Sequence, residues 1–232
     1  MTDFGPTPSS FPTPPAPPPS SMRLGPPWEN EGPPLQRFID TMKGALVDPM
    51  NTFANCRREG GLQAPLIYYL IGAAIAILGA IIWHILGFGG AMMMPGRNAA
   101  AGAAMGLGFL IIGLPICYTI GIFLGSLILH VLLMLFGGLK YPYETTFRAT
   151  AYAHGSALPL SFIPFCGGLI GGLWGIVVLI IGLSQMQETS IGKAAAAVLV
   201  PIVLCCGLIF FFAAAIATMA GFAAAGAASG LH

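Results

Sequence analysis

Residues 139–155, LKYPYETTFRATAYAHG, gather a lysine, a glutamate, an arginine, a histidine and three tyrosines in a chain of which only 7 % of residues are charged. Glu144 and Arg148 stand four apart, the spacing of a helical ion pair, with Tyr141 and Tyr152 in step beside them. His130 lies about ten residues before Lys140 and His154 six after Arg148, so at about 1.5 Å of rise per residue both sit roughly 10 Å below the level of the basic residues. Two histidines at that depth could relay a proton or hold a metal ion, or could simply hydrogen-bond to neighbouring helices. The spacing predicts one packed polar cluster of Glu144, Arg148, His130 and His154. Such a cluster would be either a contact surface for a protein partner or the inner gate of a permeation path.

The elements that must position these residues are set by composition. The chain has 232 residues, 56 % of them hydrophobic, a mean hydropathy of +0.84 and 32 glycines, which places it among integral membrane proteins. A net charge of +1 offers no reason to propose nucleic acid as a partner. The sequence has no Walker loop, no H-E-x-x-H and no G-x-S-x-G, and the Gly155-Ser156 step beside His154 is too local to be a serine–histidine catalytic pair. The expectation is a protein that is not an enzyme and carries no cofactor or metal. The five cysteines show no disulfide framework and no zinc spacing; Cys56, beside Arg57 and Arg58, is a juxtamembrane candidate for lipidation.

Along the chain, residues 1–34 hold more than half of the 20 prolines and read as a disordered tail, presumed cytoplasmic, whose P-x-x-P spacings suit a flexible tether or an aromatic groove. From 35 to 58, apolar residues recur at three- and four-residue spacing, broken by Asp48-Pro49, which predicts two short amphipathic helices along the membrane surface, anchored by Phe38, Phe53, Arg57 and Arg58. The rest, 59–232, is a membrane domain. Five spans are expected, at 66–87, within 105–136, at 147–163, at 169–185 and from 191 to about 220. The long apolar runs at 99–108 and 213–230 suggest a contact between small residues, for instance near Ala103 and Ala220. Gly121-x-x-x-Gly125, Gly168-x-x-x-Gly172 and Gly171-x-x-x-Gly175 suit close helix packing inside the monomer or between copies. Arg57, Arg58, Lys140, Arg148 and Lys193 fall on one side and Arg97 alone on the other, which predicts a cytoplasmic N-terminus and, with five spans, an extracytoplasmic C-terminus.

The stretches PPWENEGPPLQRFIDTMKGALVDPMNTFANCRREGGLQAPLIYYL at 26–70 and YPYETTFRATAYAHGSALPLSFIPFCGGLIGGLWGIVVLIIGLSQMQETSIGKAAAAVLVP at 141–201 resemble the Yip domain family, named for interaction with Ypt/Rab GTPases, in its bacterial branch. The resemblance covers about residues 27–205. It implies five spans, a cytoplasmic N-terminus, a short extracytoplasmic C-terminus and a place in the bacterial cytoplasmic membrane. The Asp-Leu-Tyr-Gly-Pro segment of the eukaryotic trafficking members is missing, so Rab binding does not carry over. The function expected is that of a scaffold or adaptor with a partner at the cytoplasmic face besides the lipid bilayer, and room for a homo-oligomer. The alternative is a small transporter or permease using the space between spans two, three and four, with Tyr141, Glu144, Arg148, Tyr152, His130 and His154 as partner-binding or gate residues.

Overall fold

The computed structural model describes residues 23–86 and 99–229, the side chains of 99–101, 103 and 220–229 excepted. The expected contact near Ala103 and Ala220 therefore lies outside the described residues, as does most of the proline-rich tail. Among the described residues the chain is helical, with eight α-helices: α1 (Pro34–Val47), α2 (Pro49–Asn55), α3 (Gln63–Ile85), α4 (Ala99–Gly108), α5 (Leu114–Leu135), α6 (Tyr143–Ala157), α7 (Gly167–Met186) and α8 (Ile191–Ser229). A π turn, Phe109–Gly113, joins α4 to α5, and short 3-10 segments lie at Pro27–Glu29 and Leu158–Phe162. Asp48 accepts from the backbone N–H of Asn51 and Pro49 opens the next helix, so the expected break between α1 and α2 is a capped restart.

Among the described residues four helical stretches are long and apolar enough to cross a membrane: Gln63–Ile85, Ala104–Leu135, Gly167–Met186 and Ile191–Met219. The expected third span coincides with α6 and the 3-10 segment after it, which is neither long nor apolar. Three threonines and Arg148 lie on α6, and 12 of its 15 residues are buried. It occupies the centre of the bundle, against α3, α5, α7 and α1. Small residues at Ala149, Ala151, Ala153, Gly155 and Ala157 make it thin enough to be surrounded. Gly155 meets Gly72 of α3 so closely that a methyl on Gly72 would fall 2.3 Å from the Gly155 carbonyl oxygen.

The glycine ridges divide. A methyl on Gly171 or Gly175 would lie 3.0 Å from an atom of Ala157, so this pair packs α7 onto α6. Gly121, Gly125, Gly168 and Gly172 have nothing within 4 Å of that position and do not pack inside the monomer. Among the described side chains of α8, Ala194, Ala197 and Val198 near its start are buried, while Phe210, Phe211 and Phe212 are exposed.

The expected boundary of the disordered tail at residue 34 also shifts. Residues 23–33 pack on the bundle: Trp28 donates from Nε1 to the Ala64 carbonyl at 2.8 Å, and its backbone N–H donates to Thr41 Oγ1 at 2.7 Å. Of the apolar residues of α1 and α2, Phe38, Ala45 and Phe53 are buried against the bundle. Phe38 stacks against Trp28 and Tyr68, and Phe53 lies on Gly182 of α7. Neither ring is free to anchor in lipid, because the bundle itself supplies the apolar surface they cover; Leu35, Ile39, Val47 and Met50 remain exposed.

The α3–α6 crossing sets the first measurable consequence. Gly72→Ala forces a methyl into backbone and should destabilise the detergent-solubilised protein by at least the 1–3 kcal/mol typical of overpacked cores, roughly. Gly121→Ala, in open space, should have a near-zero effect in the same unfolding titration.

Candidate functional site

At one end of the bundle, the residues before α3 meet the start of α6 and the turn between α7 and α8. Two arginine-centred networks hold them together. In the first, the fully buried Arg148 forms an ion pair through Nη2 with Glu29, and donates from Nε to the Arg57 carbonyl and from Nη1 to the Gly61 carbonyl, both at 2.8 Å. Tyr152, one turn further along α6, donates to the same Glu29 oxygen at 2.5 Å. Glu29 is itself almost wholly enclosed, so the pair is a dry one with most of its hydrogen-bonding capacity used.

In the second network, Arg58 pairs with Glu188, donates from Nε to the Met186 carbonyl at 2.9 Å, and lays its guanidinium 3.9 Å from the centre of the Tyr141 ring. Arg23 reaches the same Glu188 oxygen at 3.3 Å, and the Tyr141 hydroxyl donates to the other at 2.9 Å. Glu188 is the left-handed residue that ends α7, with φ +47°, and the Thr189 N–H closes the end on the Ser184 carbonyl at 3.0 Å. A glutamate in that conformation is strained, and its three side-chain partners hold it there. Burial pushes the Glu188 carboxyl up, but hydrogen bonds from Arg58 and Tyr141 and the charges of Arg58 and Arg23 outweigh it, so the group stays below the usual glutamate range.

Gln187, beside Glu188, ties the α7–α8 turn to the chain entering α6 and to Thr146 within it. Its side-chain oxygen accepts from the backbone N–H of Lys140 at 3.0 Å and of Tyr141 at 2.8 Å, and its amide donates to Thr146 Oγ1 at 3.0 Å. Thr146 also shares a hydrogen bond of 2.9 Å with His130 Nδ1.

The expected four-membered cluster does not form. Glu144 accepts from the Gly61 N–H at 2.6 Å instead of pairing with Arg148, which Glu29 takes from elsewhere in the chain. His130 is held at Thr146, and His154 lies eight residues on, about 12 Å along α6, where its Nδ1 bonds to the Thr150 carbonyl at 3.0 Å. Tyr141 and Tyr152 do join the site, but in different networks. Arg57 contributes its carbonyl and leaves its side chain exposed, while Arg58 is buried. His154 lines a cleft of about 320 Å³ with Tyr118, Ser161 and the glycines 168, 171, 172 and 175 of α7. Cys56 is fully buried and its thiol is pushed up to about 12 by desolvation, so the folded state does not present it for lipidation. Among the described residues no group of three or more His, Cys, Asp or Glu could hold a metal ion.

Glu29, Gln187 and Glu188 escaped the sequence reading. Their signals were a Glu-Asn-Glu step in a proline-rich stretch and a Gln-Glu pair just past an apolar run. Neither shows its partner, because the contacts run over separations of 119 and 130 residues.

Compared with known proteins, residues 43–215 match the profile of the Yip1 domain. No curated protein and no solved structure matches the chain.

Two outcomes follow from the networks. Arg148→Gln strands a buried carboxylate at Glu29 and should destabilise by about 3–5 kcal/mol, whereas the exposed Arg57→Gln should stay within about 0.5 kcal/mol in the same denaturant titration. For pH, the folded-state Glu188 lies below its unfolded value of about 4.3, so its contribution is complete above that value and is lost as pH falls through the lower folded one. Protease cleavage within residues 23–61 should stay flat from about pH 8 to 5 and rise only below about pH 4, and Glu188→Gln should raise it already at neutral pH.

Proposed function

The chain belongs to the Yip1 domain family, and from that premise we propose that it serves as a non-enzymatic membrane scaffold, an adaptor in membrane organisation or trafficking. The observation that carries this reading is the use made of the polar groups in and around α6. Arg148, Tyr152, Thr145 and Thr146 are each engaged in joining the N-terminal segment, α6 and the α7–α8 turn. They act as fasteners rather than as a reactive or conducting set.

The fifth crossing belongs to the same proposal. The 15 residues of α6 and the five of its 3-10 extension rise about 32 Å, close to the 30 Å of the 20-residue α7 beside them. Both ends of this pair coincide: Gln187 bonds to Lys140 and Tyr141 at one, and the Gly167 N–H bonds to the Ile163 carbonyl at the other. The segment 143–162 then crosses as a helix screened from lipid by its neighbours. Five crossings, with the basic residues Arg57, Arg58, Lys140, Arg148 and Lys193 inside, give a cytoplasmic N-terminus and an extracytoplasmic C-terminus in a bacterial cytoplasmic membrane.

The permease reading draws on one observation, the cleft at His154, which lies between the second, third and fourth of these segments. It predicts solute flux in proteoliposomes that His154→Leu abolishes; the scaffold reading predicts none.

The scaffold is tested by capture from native membranes, comparing the full chain with residues 23–232. The cut belongs at 23 because a cut at 34 would remove Glu29 and Arg23 and disrupt both networks. A partner enriched with the full chain and lost with the shortened one is the expected result. Identical partner sets, or none, would remove the tail from the proposal.

A further inference from the structure

We propose that a cleft beside the first turn of α3 binds the phosphate of an anionic phospholipid headgroup. The cleft has a volume of about 440 Å³ and is lined by Trp28, Glu29, Arg37, Arg57, Gln63 and Ile67 among others. Its charge is positive. Glu29, the only acid lining it, is paired with Arg148, which leaves Arg37, its guanidinium 5.3 Å from the Trp28 ring centre, and Arg57 without an ion-pair partner among the described residues.

Both arginines have capacity to spare. Arg37 donates from Nη1 to the carbonyls of Trp28 and Asn30, at 3.0 and 2.8 Å, but its buried Nε has no partner. The Arg57 side chain makes no hydrogen bond or ion pair among the described residues and is exposed to the cleft. A buried guanidinium N–H without an acceptor is costly, and a phosphate oxygen is the acceptor whose geometry suits two such forks. The cleft also abuts the start of α3, where Gln63 and Ala64 open the helix; its positive end favours an anion there.

The lipid, rather than a soluble phosphate, is identified by what lies beneath. Ile67 lines the cleft, and exposed apolar residues continue from it along α3 at Ala74, Leu78, Ile82 and Ile85, with the half-buried Ile71 between. A phosphate seated between Arg37 and Arg57 therefore has its acyl chains directed down the surface of the first membrane-crossing helix. A choline group would bring a third positive charge against the two arginines, so an anionic headgroup is selected over a zwitterionic one.

The site is tested on the full chain in neutral detergent, titrated with phosphatidylglycerol or phosphatidylcholine and read by native mass spectrometry as lipid retained. Phosphatidylglycerol should be retained in preference, and glycerol phosphate at equal concentration should not displace it. Arg57→Gln should lower retention about fivefold, the equivalent of roughly 1 kcal/mol for one basic residue at a membrane surface. Gln63→Glu should lower it at least as much although an acid in the first turn favours the helix, so that loss cannot be unfolding. Lys43→Gln, an exposed charge on α1 outside the cleft, should change nothing. Equal retention of the two lipids, displacement by glycerol phosphate, or an equal loss in Lys43→Gln would overturn the assignment. None of these readouts depends on whether the protein is a scaffold.

Discussion

The ion pair between Arg148 and Glu29 is the constraint around which the rest is arranged. A guanidinium and a carboxylate removed from water each cost several kcal/mol, and their attraction offsets that cost only when the remaining donors and acceptors are also filled. Here Arg148 donates to the Arg57 and Gly61 carbonyls as well, and Glu29 Oε1 accepts from Tyr152 in addition. The two carbonyls come from the loop before α3, Tyr152 from α6, and Glu29 from the N-terminal segment. The pair can therefore exist only when the N-terminal segment, the loop before α3 and the first turns of α6 are all in place. An isolated α6 would expose Arg148 in a membrane setting where nothing could satisfy it.

This accounts for the unusual composition of α6. A helix with threonines, an arginine and a histidine is a poor membrane helix by hydropathy, and none of those groups could face lipid. It is tolerable only when enclosed, and enclosure requires that neighbouring helices approach closely on several sides. The alanines and glycines supply that: Gly155 against Gly72 and Tyr68 on one side, Ala157 against Gly171 and Gly175 on another. The apolar helices α3, α5 and α7 then present lipid-facing surfaces such as Leu78, Leu127 and Leu173, and their packed faces shield the polar centre. Small residues on α6 and large exposed ones on its neighbours are two aspects of the same requirement.

The division between what could and could not be read from the sequence follows the range of the interactions. Membrane character, four of the helices, the α1–α2 break at Asp48-Pro49 and the family all rest on local composition or ordered motifs, and these are visible in one chain. A third span was expected at 147–163, where the chain forms α6 and its 3-10 extension; the enclosure of α6 was not visible, since hydropathy scores residues without regard to whether neighbours will cover them. The amphipathic pattern of α1 and α2 identified a face to be buried but not its cover, which is protein at Phe38 and Phe53 rather than lipid. The i,i+4 rule named Glu144 as the partner of Arg148 because it was the nearest acid; a buried arginine instead took Glu29, whose side chain could be enclosed with it while Glu144 remained near the surface at Gly61. Spacing along a helix proposes a pair, and desolvation decides which pair forms.

The two networks are not independent, and the reason lies in two adjacent residues. The Arg57 carbonyl receives Arg148, and the next side chain, Arg58, pairs with Glu188, while the Arg58 carbonyl accepts from Thr145 of α6 at 3.2 Å. One short stretch of backbone thus links the start of α6 to the left-handed turn that redirects the chain from α7 into α8. Arg23, the first described residue, grips that same turn through Glu188. A pull on the chain ahead of Arg23 is consequently borne by the α7–α8 turn and, through Arg58 and its neighbour, by Arg148 at the centre of the bundle. The N-terminal segment is tied at two points, Glu29 and Arg23, whose networks meet on the backbone of the adjacent residues Arg57 and Arg58.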